Sequence, residues 1–272
     1  MQLIFGFFLL SICFISCSSD ASEQVSKTIS TPIYDLSNIT PDIFSDKGAW
    51  LGIQLNTNEQ LGLGKAYMLS DSNGYWLNSN LLQPIIVVDN QTLEFKSIHN
   101  NSYPGLLVQE AESEACQFKM QAIFEDAQTV LVQYSIKNTT NRTIDYQLTI
   151  NPLDHSTIPN QKAKCYDLSN SILRMDYPSS ILITLSSNEE HIAYIPIRHS
   201  FKNNPSPSIH HLDSDHCAAV FKDNRMRWQG YLQAFEKLPI HKQQLAVKCI
   251  QTLLTNWRSP QGALKYAGLF PS

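Results

Sequence analysis

The stretch Val130-Leu131-Val132-Gln133-Tyr134-Ser135-Ile136-Lys137 runs through Asn138-Thr139-Thr140-Asn141-Arg142-Thr143 into Ile144-Asp145-Tyr146-Gln147-Leu148-Thr149-Ile150. Its period is two. Val130, Val132, Tyr134 and Ile136 fall on one face, and Ile144, Tyr146, Leu148 and Ile150 repeat the pattern after a turn-rich hexapeptide. The reading is a hairpin with one apolar face. Burying each large apolar side chain is worth ~1.5–3 kcal/mol. A lone hairpin is marginal in water, so a second layer must cover that face, with Val132, Tyr134, Tyr146 and Leu148 pointing inside.

Strands to build that layer lie on both sides. Cys116, Phe118, Met120, Ala122 and Phe124 alternate with Gln117, Lys119, Gln121 and Ile123. Pro84 precedes Ile85-Ile86-Val87-Val88, which Asp89-Asn90 ends, and Ser186 to Glu190 separate the apolar runs 181–185 and 192–197. Many short strands with turn signals between them predict a mainly β fold, an antiparallel β-sandwich over residues 33–220. After Val220 the period changes. Lys222 to Phe235 suits a helix weakened at Gly230, giving a linker over 221–241. From Lys242 to Trp257, the residues Leu245, Ala246, Cys249, Ile250, Leu253, Leu254 and Trp257 form a broad helical stripe, ended by Ser259-Pro260-Gln261-Gly262.

The 272 residues are 43% hydrophobic and 16% charged, with a formal net charge of −4. That supports a sizeable core and excludes the basic stripe of a nucleic-acid binder, so no nucleic acid is expected as partner. Leu3 to Ile15 are apolar apart from Gly6 and Ser11. The run is too short to span a bilayer and suits a signal-peptide core. It ends in Phe14-Ile15-Ser16-Cys17, which resembles a bacterial lipobox. The resemblance implies a signal over 1–17, lipid on Cys17, a Ser- and Thr-rich tether over 18–32, and export to the outer membrane or periplasm with a membrane anchor. An ordinary cleaved signal or an uncleaved anchor gives a similar pattern. Cys116, Cys165, Cys217 and Cys249 remain, which allow three disulfide pairings or serve as small buried hydrophobes.

The segment Asn256-Trp257-Arg258-Ser259-Pro260-Gln261-Gly262, followed by Pro271-Ser272, resembles the opening of the (α/α)6 barrel in bacterial glycoside hydrolase family 63. Ala246 to Leu253 is similar to that family's first barrel helix, and Arg227-Trp228-Gln229-Gly230-Tyr231-Leu232 to the linker helix before it. Gly48-Ala49-Trp50 and Tyr103-Pro104-Gly105 resemble segments of its N-terminal sandwich. The resemblance implies an α-glucosidase acting on oligosaccharides without a cofactor, with residues 242–272 as the start of a barrel cut short. Inverting hydrolysis needs two carboxylates ~6.5–9.5 Å apart. The family's general acid sits in a W-x-W-D segment. None of Trp50, Trp76, Trp228 and Trp257 is followed by that pattern, so neither catalytic carboxylate carries over. The chain alone is expected to be an inactive accessory portion. A glycan-binding surface lipoprotein and a structural remnant are the competing readings.

Candidate site residues follow. Trp257 and Arg258 stand at the mouth of the would-be barrel, where Arg258 either meets substrate or pairs with an acid. Tyr75 and Trp76, after the turn Ser72-Asn73-Gly74, are the better placed for stacking on sugar rings; Trp50 and Tyr103 are weaker candidates, because core packing is the commoner fate of such rings. His210, His211, Asp213, Asp215 and His216 have metal-like chemistry but follow loop sequence, and no metal is expected. Glu110, Glu112 and Glu114 share one strand face and read as a solvated edge rather than a catalytic set.

Overall fold

A computed structural model describes residues 30, 33–35, 43–56, 60–69, 74–77, 80–151, 164–168, 171–175, 177–178, 180–203, 213–262 and 264–270. The expectations for residues 1–17, for the tether apart from Ser30, and for His210 and His211 fall outside them. In chain order the strands are β1 (Tyr34–Asp35), β2 (Leu51–Gly52), β3 (Tyr67–Leu69), β4 (Gly74–Trp76), β5 (Gln83–Val88), β6 (Gln91–Thr92), β7 (Ser97–Tyr103), β8 (Leu106–Glu112), β9 (Cys116–Phe124), β10 (Thr129–Asn138) and β11 (Ile144–Asn151). They continue with β12 (Lys164–Leu168), β13 (Ser171–Met175), β14 (Ser180–Leu185), β15 (Glu190–Phe201), β16 (Trp257–Arg258) and β17 (Gly268–Leu269). Helices α1 (Ser214–Gln233) and α2 (Ile240–Asn256) lie between β15 and β16.

Among the described residues, an eight-stranded antiparallel sheet (β1-β7-β8-β9-β10-β15-β13-β12) faces a four-stranded one (β14-β11-β5-β6). Phe118, Met120, Val132, Tyr134 and Ile195 of the first meet Tyr146, Leu148, Ile86 and Ile183 of the second in one buried cluster. The alternation that predicted a sandwich is thus the alternation of its core, and Val132, Tyr134, Tyr146 and Leu148 all face inside.

The predicted hairpin is not one. β10 pairs with β9 and β15, whereas β11 pairs with β5 and β14, so residues 139–143 arch from one sheet to the other. A hairpin and an arch present the same apolar periodicity; only the partner strands differ. The arch is held by Asn138, which is fully buried. Its Nδ2 donates toward the carbonyls of Arg142 (2.8 Å), Leu185 (3.0 Å) and Ser186 (3.1 Å), and its Oδ1 accepts from the Thr140 N–H. A second arch, 186–189, joins β14 to β15 beside the first, and Asn188 N–H donates to the Asn138 carbonyl. A true tight hairpin occurs at Asp89-Asn90, between β5 and β6, where both residues have positive φ (51° and 64°).

Helix α1 begins at Ser214, eight residues before the expected start, and passes through Gly230 without a break. It covers part of the outer face of the large sheet. Ile123, Leu131 and Cys217 form a second buried cluster there, flanked by Leu106, Tyr194, Val220 and Phe221. Ile123 and Leu131 break the polar half of their strands' alternation because a helix sits on them. Cys116 and Cys217 are buried and free, as small hydrophobes; Cys249 is also free but exposed, which corrects that reading for α2.

Candidate functional site

The segments singled out in the sequence meet in pairs. The first pair joins α1 to the sandwich. The turn Pro104-Gly105 links β7 to β8, and Gly105 has φ +70°. A Cβ there would overlap the Trp228 indole, so glycine lets α1 come down onto the turn. Asn224 Nδ2 donates to the Gly105 carbonyl at 3.0 Å. Trp228 Nε1 donates to Asp46 Oδ2 at 3.1 Å, and Arg227 forks the same carboxylate, with Nη1 3.0 Å from Oδ1. Asp46 is fully buried. Removing one partner of such a pair costs about 3–5 kcal/mol, because the other charge is left buried and alone. Nothing local in the sequence marks Asp46, whose partner lies 181 residues away.

The second pair forms one end of the molecule. The Gly48-Ala49-Trp50 turn receives the segment after α2: Ser259 N–H donates to the Gly48 carbonyl at 2.8 Å, and Trp50 Nε1 donates to the Ser259 carbonyl at 3.0 Å. Trp50 is 7% exposed and packs edge-on against Phe201, so it serves the core. β16 and β17 close the loop that follows, and Thr255 Oγ1 donates to the Ser45 carbonyl.

Arg258 is buried in this end, only 4% exposed. Its Nη1 donates to the carbonyls of Thr255 (2.5 Å) and Trp257 (2.9 Å), while Nε has no partner. It forms none of the ion pairs among the described residues. Burial pulls its guanidinium down to about 10, with Tyr67 opposing. The Ser259 hydroxyl and Gln261 Oε1 nearby in the chain are likewise buried without partners. Tyr67 in turn packs against Trp76, with ring centroids 5.2 Å apart, across the β3–β4 pair of a three-stranded sheet. Trp76 is 44% exposed and Trp257 41%. Tyr67, which sequence reasoning missed, packs on Trp76 and acts electrostatically on Arg258. The side chain of Tyr75 lies outside the described residues.

Around this end α2 is turned over. Its buried positions are Gln243, Val247 and Gln251, and Gln251 Nε2 donates to Ser102 Oγ at 3.4 Å. Leu245 (65%) and Leu253 (53%) of the predicted stripe face solvent, as do Ile240, Leu269 and Phe270. A single exposed leucine needs no explanation, but a row of them with a polar face packed inward does.

The other candidates resolve as surface chemistry. Glu110 pairs with Lys119 at 2.6 Å and Glu114 with Lys96 at 2.8 Å; the bond to Lys96 lowers the Glu114 carboxyl, the opposite of what a general acid requires. Glu112 accepts from Gln117. His216 binds Glu125 at 2.9 Å, and among the described residues no three metal-ligating side chains come together. No helix among them is long and apolar enough to cross a membrane.

Comparison with known proteins gives a family. The family model described as "Glucosidase YgjK, N-terminal" matches residues 33–185, more than half of the chain. No curated protein matches. Among solved structures, a candidate kojibiose phosphorylase from the human microbiome is 11% identical with a TM-score of 0.47, over 82% of this chain. The chain spans only 40% of that protein. The periplasmic domain of Thermotoga maritima YidC is 7% identical with a TM-score of 0.37, over 70% of this chain and 92% of that one.

Proposed function

This chain belongs to the family of N-terminal domains of glucosidase YgjK, and we propose that it is the non-catalytic accessory portion of an exported α-glucoside hydrolase of glycoside hydrolase family 63. The observation that carries the reading is the orientation of α2. Of its apolar stripe, Leu245, Leu253 and, beyond the helix, Trp257 are exposed and Ala246, Ile250 and Leu254 are half-buried, while Gln243 and Gln251 are buried beside Val247. A helix with that arrangement is built to be covered by further helices. In this reading Trp257 and Arg258 lie where sandwich and barrel meet, and an acid from the barrel side neutralises Arg258. Trp76, exposed to 44%, is the ring in this reading that is open to an oligosaccharide substrate.

The two catalytic carboxylates belong to the barrel, and this chain by itself releases no sugar. The acids available here support that: Glu110 and Glu114 are held as exposed ion pairs with lysines. Export rests on the apolar run that ends in Ser16-Cys17, with lipid on Cys17 as the anchor.

The test is a Leu245→Lys, Leu253→Lys double variant of the full chain, compared by size-exclusion chromatography and thermal melting. The reading expects less self-association at an unchanged melting temperature, since both side chains already face water. A collapse of the fold would mean that the stripe serves this chain's own core.

A further inference from the structure

A groove of about 420 Å³ lies between α1 and the outer face of β7, β8 and β9, and neither Trp76 nor a residue of the α2 stripe lines it. That volume falls in the range of about 300–1,000 Å³ common for small-molecule sites. We propose that this groove is a saccharide-binding site in its own right, taking one or two pyranose units of a neutral gluco-oligosaccharide.

The lining has the composition a sugar requires. A pyranose presents an apolar face of C–H groups and an equatorial belt of hydroxyls. Tyr103 on the sheet side and Phe221 on the helix side supply aromatic surface for the first. Gln121, Glu110, Lys119 and Arg225 supply planar or forked donors and acceptors for the second. A lipid would not choose a floor crossed by the Glu110–Lys119 pair. A phosphate-bearing ligand would want several free cations, whereas Lys119 is held by Glu110 at 2.6 Å and Arg225 is the lining's other cation. The balance of apolar rings, an ion pair, an amide and one guanidinium therefore favours an uncharged polyol over either.

The groove is also preformed. Its floor is three adjacent strands in register, with Glu110 opposite Lys119 and Val108 opposite Gln121. Its wall is fixed because Trp228, which lines it, is clamped between the Gly105 turn and the buried Asp46 carboxylate. A ligand need not order the site on binding, which removes part of the cost of association. Tyr103 and Glu110 drew separate attention in the sequence, one as a stacking ring and one as an acid. The strand pairing brings both to one groove.

The choice of gluco-oligosaccharide rests on the glucosidase-family reading; the location does not. The experiment is a titration of the isotopically labelled full chain with maltotriose, followed by amide chemical shifts, with inorganic phosphate as a second probe. Shifts are expected to cluster over residues 103–123 and 221–229. Tyr103→Ala and Gln121→Ala should each weaken binding about tenfold, and Leu182→Ser, at a site exposed on the other sheet, should leave it unchanged. No shifts with maltotriose would overturn the inference, as would a response to phosphate alone. Shifts centred on Trp76 and Arg258 would move saccharide binding away from this groove and overturn it too. None of these results touches the accessory-domain reading, which falls separately if the chain itself hydrolyses glucosides.

Discussion

The indole N–H of Trp50 donates to the carbonyl oxygen of Ser259 at 3.0 Å, joining residues 209 positions apart. The contact fixes the segment after α2 onto the Gly48-Ala49-Trp50 turn of the sandwich. It depends on Gly48, whose φ is +77° and where a Cβ would stand 2.8 Å from the Ser259 nitrogen. Gly48→Ala is therefore expected to destabilise the chain by about 1–3 kcal/mol. Gly230→Ala, in the exposed part of α1 with nothing within 4 Å, should stabilise it by about 0.5–1 kcal/mol. Denaturant midpoints of the two variants, moving in opposite directions, are the check.

The arches give a second prediction. Asn138 is buried and directs its two Nδ2 hydrogens among the carbonyls of Arg142, Leu185 and Ser186 at the two arches. Asn138→Ala removes that donor and should cost about 1–3 kcal/mol. Asn141→Ala, exposed in the same turn, should change stability by less than about 0.5 kcal/mol. Equal losses at the two positions would mean that the crossover is not held by Asn138.

These two sites also mark how far the sequence could be read. The period of two in residues 130–150 told which side chains are inside, because each strand buries one face whatever it pairs with. It did not tell a hairpin from an arch, because pairing is decided by β5, β9, β14 and β15, which are distant in the chain. Gly48-Ala49-Trp50, Pro104-Gly105, Arg227-Trp228 and Trp257-Arg258-Ser259 stood out as motifs, and they prove to touch two by two. Asp46 and Tyr67 were invisible, since a buried acid and a bridging ring acquire their roles only from partners brought together by folding. The stripe on α2 was legible, and that its Leu245 and Leu253 stay exposed was one of the outcomes left open, because periodicity gives a face and not its direction.

Acid stability follows from His199. Its ring is fully buried, with Nε2 3.0 Å from Ser171 Oγ and Nδ1 without a partner. Burial lowers its pKa from 6.5 to about 4. The unfolded chain therefore takes up the proton more readily than the folded one. The stability tied to neutral His199 is complete well above pH 6.5 and is lost as the pH falls through about 4, by ~3 kcal/mol in all. His191, lowered by burial as well, acts in the same direction. Unfolding free energies measured from pH 4 to 7 should rise with pH, and His199→Gln should flatten the slope. An unchanged slope would assign it to other groups.

Arg258 should be a burden to the isolated chain. A guanidinium buried to 4% exposure without a carboxylate loses its hydration and gains only carbonyl contacts. Arg258→Met is expected to leave thermal stability unchanged or raise it. A fall of more than about 3 kcal/mol would show that the carbonyl contacts alone justify the charge.

The proposal that residues 1–272 act as an accessory portion is tested most directly by glucose release from α-linked glucose disaccharides by the purified chain. No release above the buffer blank is predicted at any enzyme concentration. Release that co-purifies with the chain through successive columns and scales with its concentration would contradict the account.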